Sequence, residues 1–177
     1  TLHRSMLQGR IDGFQGILYE SFFGPDLAMA SSKEFAAAFS GKDEFESLTP
    51  EDLVKTCEAV KGRVVADDAA GTVTFNLNQA VPWFLTLTSN QFMGGILDKE
   101  WMIEQGDWDD DCATWQTWAD PAAEETILFD KANGTGPYKL DRWTPGEETV
   151  LVAFDKYWRT EPMWDGGPSG VARIKQV

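Results

Sequence analysis

The sequence has one histidine, His3, and two cysteines, Cys57 and Cys112, among 177 residues. That scarcity excludes most nucleophile–base chemistry, because a Ser or Cys nucleophile needs an activating neighbour, and no Ser or Cys motif stands beside His3. The cysteines lack the paired C-x-x-C spacing of a zinc site, so they stand either as one disulfide or as two separate thiols. Basic residues are also few: 15 Lys and Arg face 29 Asp and Glu, a formal net charge of −14. Nucleic acid is repelled, since affinity for it comes from cationic contacts to phosphates, and anionic membrane surfaces are disfavoured for the same reason. Such a charge serves solubility, or else a site that attracts cations. No apolar run approaches the roughly 20 residues of a membrane span. No basic segment followed by an apolar one opens the chain as an export signal would. G-x-S-x-G, H-E-x-x-H, P-loop and G-x-G-x-x-G strings are all missing. The carboxylates are many, but no motif pairs any two of them for glycosidase chemistry. Catalysis is not expected, and neither is a cofactor.

What is present is an ordinary globular composition, 42% apolar and 25% charged, in a chain long enough for a real core. It starts without Met, on residues that read as the middle of a helix, so it reads as a piece of a longer protein. A missing leader then says nothing of where that protein resides. Residues 1 to about 48 read as helical. Ile11, Phe14, Ile17, Leu18, Phe22 and Phe23 form an apolar stripe assigned to core, interrupted by Gly13 and Gly16. Thr49-Pro50-Glu51-Asp52 is a helix start with a capping residue, a Pro at the first helical position and a capping carboxylate. Leu53, Val54, Cys57 and Val60 then share a face up to a stop at Gly62.

From Arg63 the period becomes two. Arg63 to Ala66 and Thr72 to Leu77 predict a hairpin with one wet face. Pro82 starts a helical turn, Trp83 to Leu87, ended by the polar break Ser89-Asn90-Gln91. A further helix is expected to open at Asp98-Lys99-Glu100 and run to Glu104, and another over Ala122 to Lys131. The run Asp107 to Asp111 invites a calcium reading through its hard oxygen ligands. It has no Gly at the sixth position and no Glu at the twelfth, which favours a solvated loop. Trp108, Trp115 and Trp118 flank it, either as buried packing or as an exposed platform for a sugar.

Near the C-terminal end, Gly134-Thr135-Gly136-Pro137 turns into a strand, Tyr138 to Trp143. Thr144-Pro145-Gly146 turns again, into Thr149 to Phe154. Val150, Val152 and Phe154 alternate with Leu151 and Ala153, so both faces are apolar and a covered strand in a larger sheet is expected. Val171 to Val177 predicts a last strand. These residues carry a resemblance. The run Gly134 to Leu140, then Trp143, Pro145-Gly146-Glu147, Val150-Leu151 and Asp155-Lys156-Tyr157-Trp158, resembles the bacterial extracellular solute-binding proteins of the peptide and nickel binding family. Ala153-Phe154 departs from the Arg-Asn common there. Thr72 to Leu77 and Pro82-Trp83-Phe84-Leu85 extend the likeness.

The resemblance implies a mixed α/β (α+β) fragment of a type II periplasmic-binding-protein-like fold, with residues 1–78 in a small inserted lobe and 79–177 in the main lobe. It implies a protein outside the cytoplasm, periplasmic or lipid-anchored at the cell surface, that is monomeric. Such a protein captures an oligopeptide or similar solute and hands it to the membrane permease of an ABC importer. Resemblance to exported proteins also favours a Cys57–Cys112 bridge over two free thiols. The expected ligand-facing residues are Trp83, Ser89, Asn90, Gln91 and Phe92, where polar side chains break an apolar segment at a lobe passage. The alternative for them is a loop that bonds its own backbone. Gly134 to Tyr138 is framework. A carbohydrate module built on the Trp cluster and a purely structural domain are the competing classes.

Overall fold

Six α-helices and two β-hairpins are formed by the described residues, 1–90 and 95–177, of the computed structural model. They fall into two units, Thr1–Glu125 and Thr126–Val177. The architecture is mixed, helices with small antiparallel sheets.

The first unit contains all six helices. Helix α1 (Leu2–Leu7) buries Met6 and Leu7, and α2 (Gln15–Phe23) buries Leu18, Tyr19 and Phe22. The expected stripe is therefore only half core. Ile11, Phe14 and Ile17 are exposed. The helix begins only at Gln15, so Ile11 and Phe14 precede it and lie outside its period. Ile17 is one residue, about 100° of helix, away from Leu18. Gly16 sits inside α2 without breaking it, at a point where an added Cβ would meet the Met29 carbonyl at 3.0 Å. The break comes at Gly24, whose φ of 102° suits glycine.

Helix α3 (Ser32–Phe39) carries a capping box: Ser31 Oγ accepts from the Glu34 amide and Glu34 from the Ser31 amide. Helix α4 (Pro50–Lys61) has the same device. Thr49 Oγ1 accepts from the Asp52 amide at 3.2 Å, and Asp52 Oδ2 accepts from the Thr49 amide at 3.0 Å. The Thr49 amide first, and then the Thr49 hydroxyl donating to Asp52 Oδ2 at 2.8 Å, hold the Asp52 carboxyl below its ordinary range. Thr56, Cys57 and Val60 are the buried face of α4. Strands β1 (Val64–Asp67) and β2 (Thr72–Phe75) pair antiparallel, Val64 opposite Phe75, and Asn76 N–H to the Arg63 carbonyl extends the pairing.

Helices α5 (Phe84–Ser89) and α6 (Lys99–Glu104) complete the unit. Tyr19 and Phe35 stack at 4.2 Å, and Phe84 meets Phe22 and Phe75 edge-on at 5.7 and 5.3 Å. The Tyr19 hydroxyl donates to the Met6 carbonyl, and burial pushes its pKa well up. A disulfide joins Cys57 on α4 to Cys112 in the loop before the Trp115–Trp118 3-10 turn. No helix forms over Ala122 to Lys131. Ala123–Glu125 is a 3-10 turn, with Glu125 N–H on the Ala122 carbonyl and Phe129 N–H on the Thr126 carbonyl. Thr126, Ile127 and Phe129 are poor helix formers, so the tighter turns win.

The second unit is built on β3 (Tyr138–Thr144) and β4 (Glu148–Ala153), an antiparallel hairpin with a bulge between Leu140 and Arg142. Its turn has Pro145 second and Gly146 third, with Gly146 at φ 77° and Glu147 N–H on the Thr144 carbonyl at 3.0 Å. That is the residue order a type II turn demands. The last strand is shorter than expected: only Lys175 to Val177 pair with β4, through Leu151 and Val177 exchanging two bonds and Ala153 bonding Lys175. Consequently β4 is not covered on both faces within this unit. Val150 is buried, while Leu151 to Ala153 are half-buried.

Candidate functional site

Helix α5 presents the expected ligand-facing residues. Its anchor is Phe84, buried between Phe22 and Phe75. The anchor turns Trp83 (55% exposed) and Leu85 (81% exposed) outward on either side of it. Trp83 is the N-cap position and Asn90 the C-cap position. Seven residues are nearly two turns, so these two share one stripe about 10 Å apart. Ser89 lies on a different face. Its hydroxyl donates to the Thr86 carbonyl at 2.9 Å, and Thr88 does the same to Leu85 at 3.1 Å. Ser89 thus bonds its own helix, the alternative reading of that residue. Gln91 and Phe92 lie outside the described residues. The structure brings Trp83, Leu85 and Asn90 onto one exposed segment.

The acidic run is more structural than its composition suggests. Asp107 is buried and takes Arg4 Nε at 2.7 Å, Gln8 Nε2 at 2.6 Å and the Trp108 amide at 2.7 Å. Asp110 binds Lys61 and Lys99 at 3.2 and 3.1 Å. Burial opposes its ionisation, but the two lysines outweigh that and hold its carboxyl below the ordinary range. Asp109 and Asp111 accept from backbone amides two residues on. Among the described residues no cluster of three or more His, Cys, Asp or Glu is placed to hold a metal ion.

The sequence offered no signal for the Arg4–Asp107 pair, whose partners lie 103 residues apart. Asp107→Asn, which leaves Arg4 without its counter-charge, is expected to destabilise by about 2 kcal/mol, read from urea midpoints.

A pocket of about 100 Å³ adjoins this pair, lined by His3, Arg4, Leu97, Lys99, Trp108 and Asp110 among others. Ligand clefts for drug-sized molecules run to about 300–1,000 Å³, so this one is too small for an oligopeptide. On its edge His3 Nε2–H donates to the Val64 carbonyl at 2.7 Å. Burial lowers the pKa of His3, and the Val64 bond only partly offsets this. A lowered pKa means the folded protein binds fewer protons than the unfolded chain. Stability from His3 is therefore complete above its unfolded value of 6.5 and falls as pH drops from there through the lower folded value. Thermal melts from neutral to mildly acid pH should show that loss, and His3→Gln should flatten it.

Two rings of the Trp cluster have no face to offer a sugar. Trp115 is fully buried, its Nε1–H on the Leu53 carbonyl at 2.9 Å and its ring edge-on to Phe45. Trp108 is buried with Nε1–H on Asp111, and only Trp118 is half-exposed. The platform reading is corrected: these indoles are packing, each with its N–H bonded.

The chain belongs to the bacterial extracellular solute-binding proteins, family 5, whose middle section matches residues 19–177. No curated protein and no solved structure matches it. Membership gives it a substrate-binding role in ABC import, in a family that is generally non-enzymatic and acts outside the cytoplasm.

Proposed function

We propose that the chain supplies part of a two-lobed clamp that captures an oligopeptide or similar small solute and delivers it to a membrane permease, as a monomer in the periplasm or tethered to the cell surface. Residues 1–78 belong to a small inserted lobe and 79–177 to the main lobe. Phe84, just past that boundary, packs back onto Phe22 and Phe75.

The observation that carries the ligand assignment is the exposed Trp83 on the same stripe of α5 as Asn90. A large apolar side chain held out beside a buried anchor, with a polar group at the far end, suits a peptide: the indole covers a side chain and the amide meets its backbone. Ser89, Gln91 and Phe92 belong to the same proposed assignment. Trp83→Ala, in the protein carrying both lobes, should weaken peptide binding about tenfold, or about 1.4 kcal/mol. It should leave stability within about 0.5 kcal/mol, because the ring is exposed. Calorimetric titration reads the first and a thermal melt the second. Unchanged affinity in Trp83→Ala and in Asn90→Ala overturns the site.

A further inference from the structure

We infer that Asn133–Gly134 is a site of spontaneous covalent modification, deamidation through a cyclic imide, which remodels the entry to the β3–β4 hairpin. Four asparagines occur in the sequence, and only Asn133 precedes a glycine. Leu77, Gln79 and Gln91 follow Asn76, Asn78 and Asn90. Ring closure requires the backbone nitrogen after the asparagine to reach the side-chain carbonyl carbon, and a side chain on that following residue obstructs the approach. Glycine removes the obstruction and widens the accessible backbone angles.

The local structure adds what the dipeptide alone does not. Residues 131–135 have no helix or strand pairing, and Asn133 and Gly134 are exposed. An added Cβ at Gly134 would meet nothing within 4 Å, so the segment has room to bend. The Gly134 N–H donates to no acceptor among the described residues, which leaves that nitrogen free to attack. At Asn76 the next residue is Leu77, and the Asn76 side-chain amide donates to the Gly62 carbonyl at 2.8 Å and its backbone N–H to the Arg63 carbonyl.

The step balances with water alone. Gly134 N attacks Asn133 Cγ, the N–H proton and the side-chain NH2 leave together as ammonia, and a five-membered imide forms. Water then opens the imide at either carbonyl. One opening gives Asp at 133. The other carries the main chain through the side-chain carbonyl as isoaspartate, one carbon longer. Both products add a negative charge. Isoaspartate also displaces Thr135, whose carbonyl accepts from Trp158 Nε1 at 2.9 Å. That bond ties the turn to the segment after β4, so the longer backbone loosens Trp158 while Asp leaves it in place.

The test is incubation of the intact protein at mildly alkaline pH and physiological temperature, followed by peptide mapping. The expected result is several-fold more conversion at Asn133 than at Asn76, Asn78 or Asn90. It appears as two products of equal mass, with the gain that exchanging NH2 for OH brings. Gly134→Ala should reduce that conversion several-fold. Asn133→Asp should keep the Trp158 emission of the unmodified protein, whereas the aged protein shifts it to the red. Equal conversion at all four asparagines overturns the inference, as does conversion at Asn133 that Gly134→Ala leaves unchanged.

Discussion

Trp115→Ala should lower stability by about 3–5 kcal/mol and the melting temperature by about 10 °C or more. The ring is fully buried, meets Phe45 at 6.2 Å and bonds the Leu53 carbonyl. Truncation removes the apolar burial, opens a cavity, and removes the indole bond to the Leu53 carbonyl of α4. Trp115→Phe separates these terms: it keeps most of the volume and loses the hydrogen bond, so it should cost about 1–2 kcal/mol. Urea unfolding followed by far-ultraviolet circular dichroism measures both. A cost below about 1 kcal/mol for the alanine variant would mean that this indole is not the keystone of the first unit.

Loss of the Cys57–Cys112 bridge has the next largest effect. The cysteines are 55 residues apart in sequence, and closing a loop of that length restricts the unfolded chain by about 4 kcal/mol in the chain-entropy account. Cys57→Ala with Cys112→Ala, or reduction of the wild type, should therefore destabilise by about 3–4 kcal/mol. The comparison of melts with and without a reductant is the measurement, and the double variant must be insensitive to the reductant. The bridge and Trp115 both fasten the loop to α4, three residues apart. Their effects should fall short of additive when combined, since contacts that share a partner couple. Two independent, summing losses would show that the loop is held at separate points.

How much could be read in the sequence depended on how local the cause was. The Thr49–Asp52 box and the Pro145–Gly146 turn are written within four residues, and both formed as their residue types require. The stripe from Ile11 to Phe23 was legible only in its second half. At the start of α2 the Gln15 side chain donates to the Arg10 and Ala30 carbonyls, and Ala30 is not a neighbour in sequence. The helix expected at Ala122 to Lys131 failed because its acidic start was followed by β-branched and aromatic residues.

The candidate site shows the same limit. Trp83 could be singled out as an aromatic beside a proline, but its exposure follows from Phe84 occupying the core instead. Ser89 looked like a ligand contact and bonds Thr86, because a hydroxyl at a helix end always has a carbonyl within reach. Asp107 looked like one more solvated carboxylate in an acidic run. Only the fold brings Arg4 and Gln8 to it.

The most direct measurement is calorimetric titration of short oligopeptides into the protein with both lobes present, alongside the Trp83→Ala variant. Saturable binding, with the peptide recovered intact and affinity reduced about tenfold by the substitution, is the predicted result. Heat that fits no binding isotherm with any peptide, or cleavage of the peptide during the titration, would contradict a protein that holds and delivers its solute.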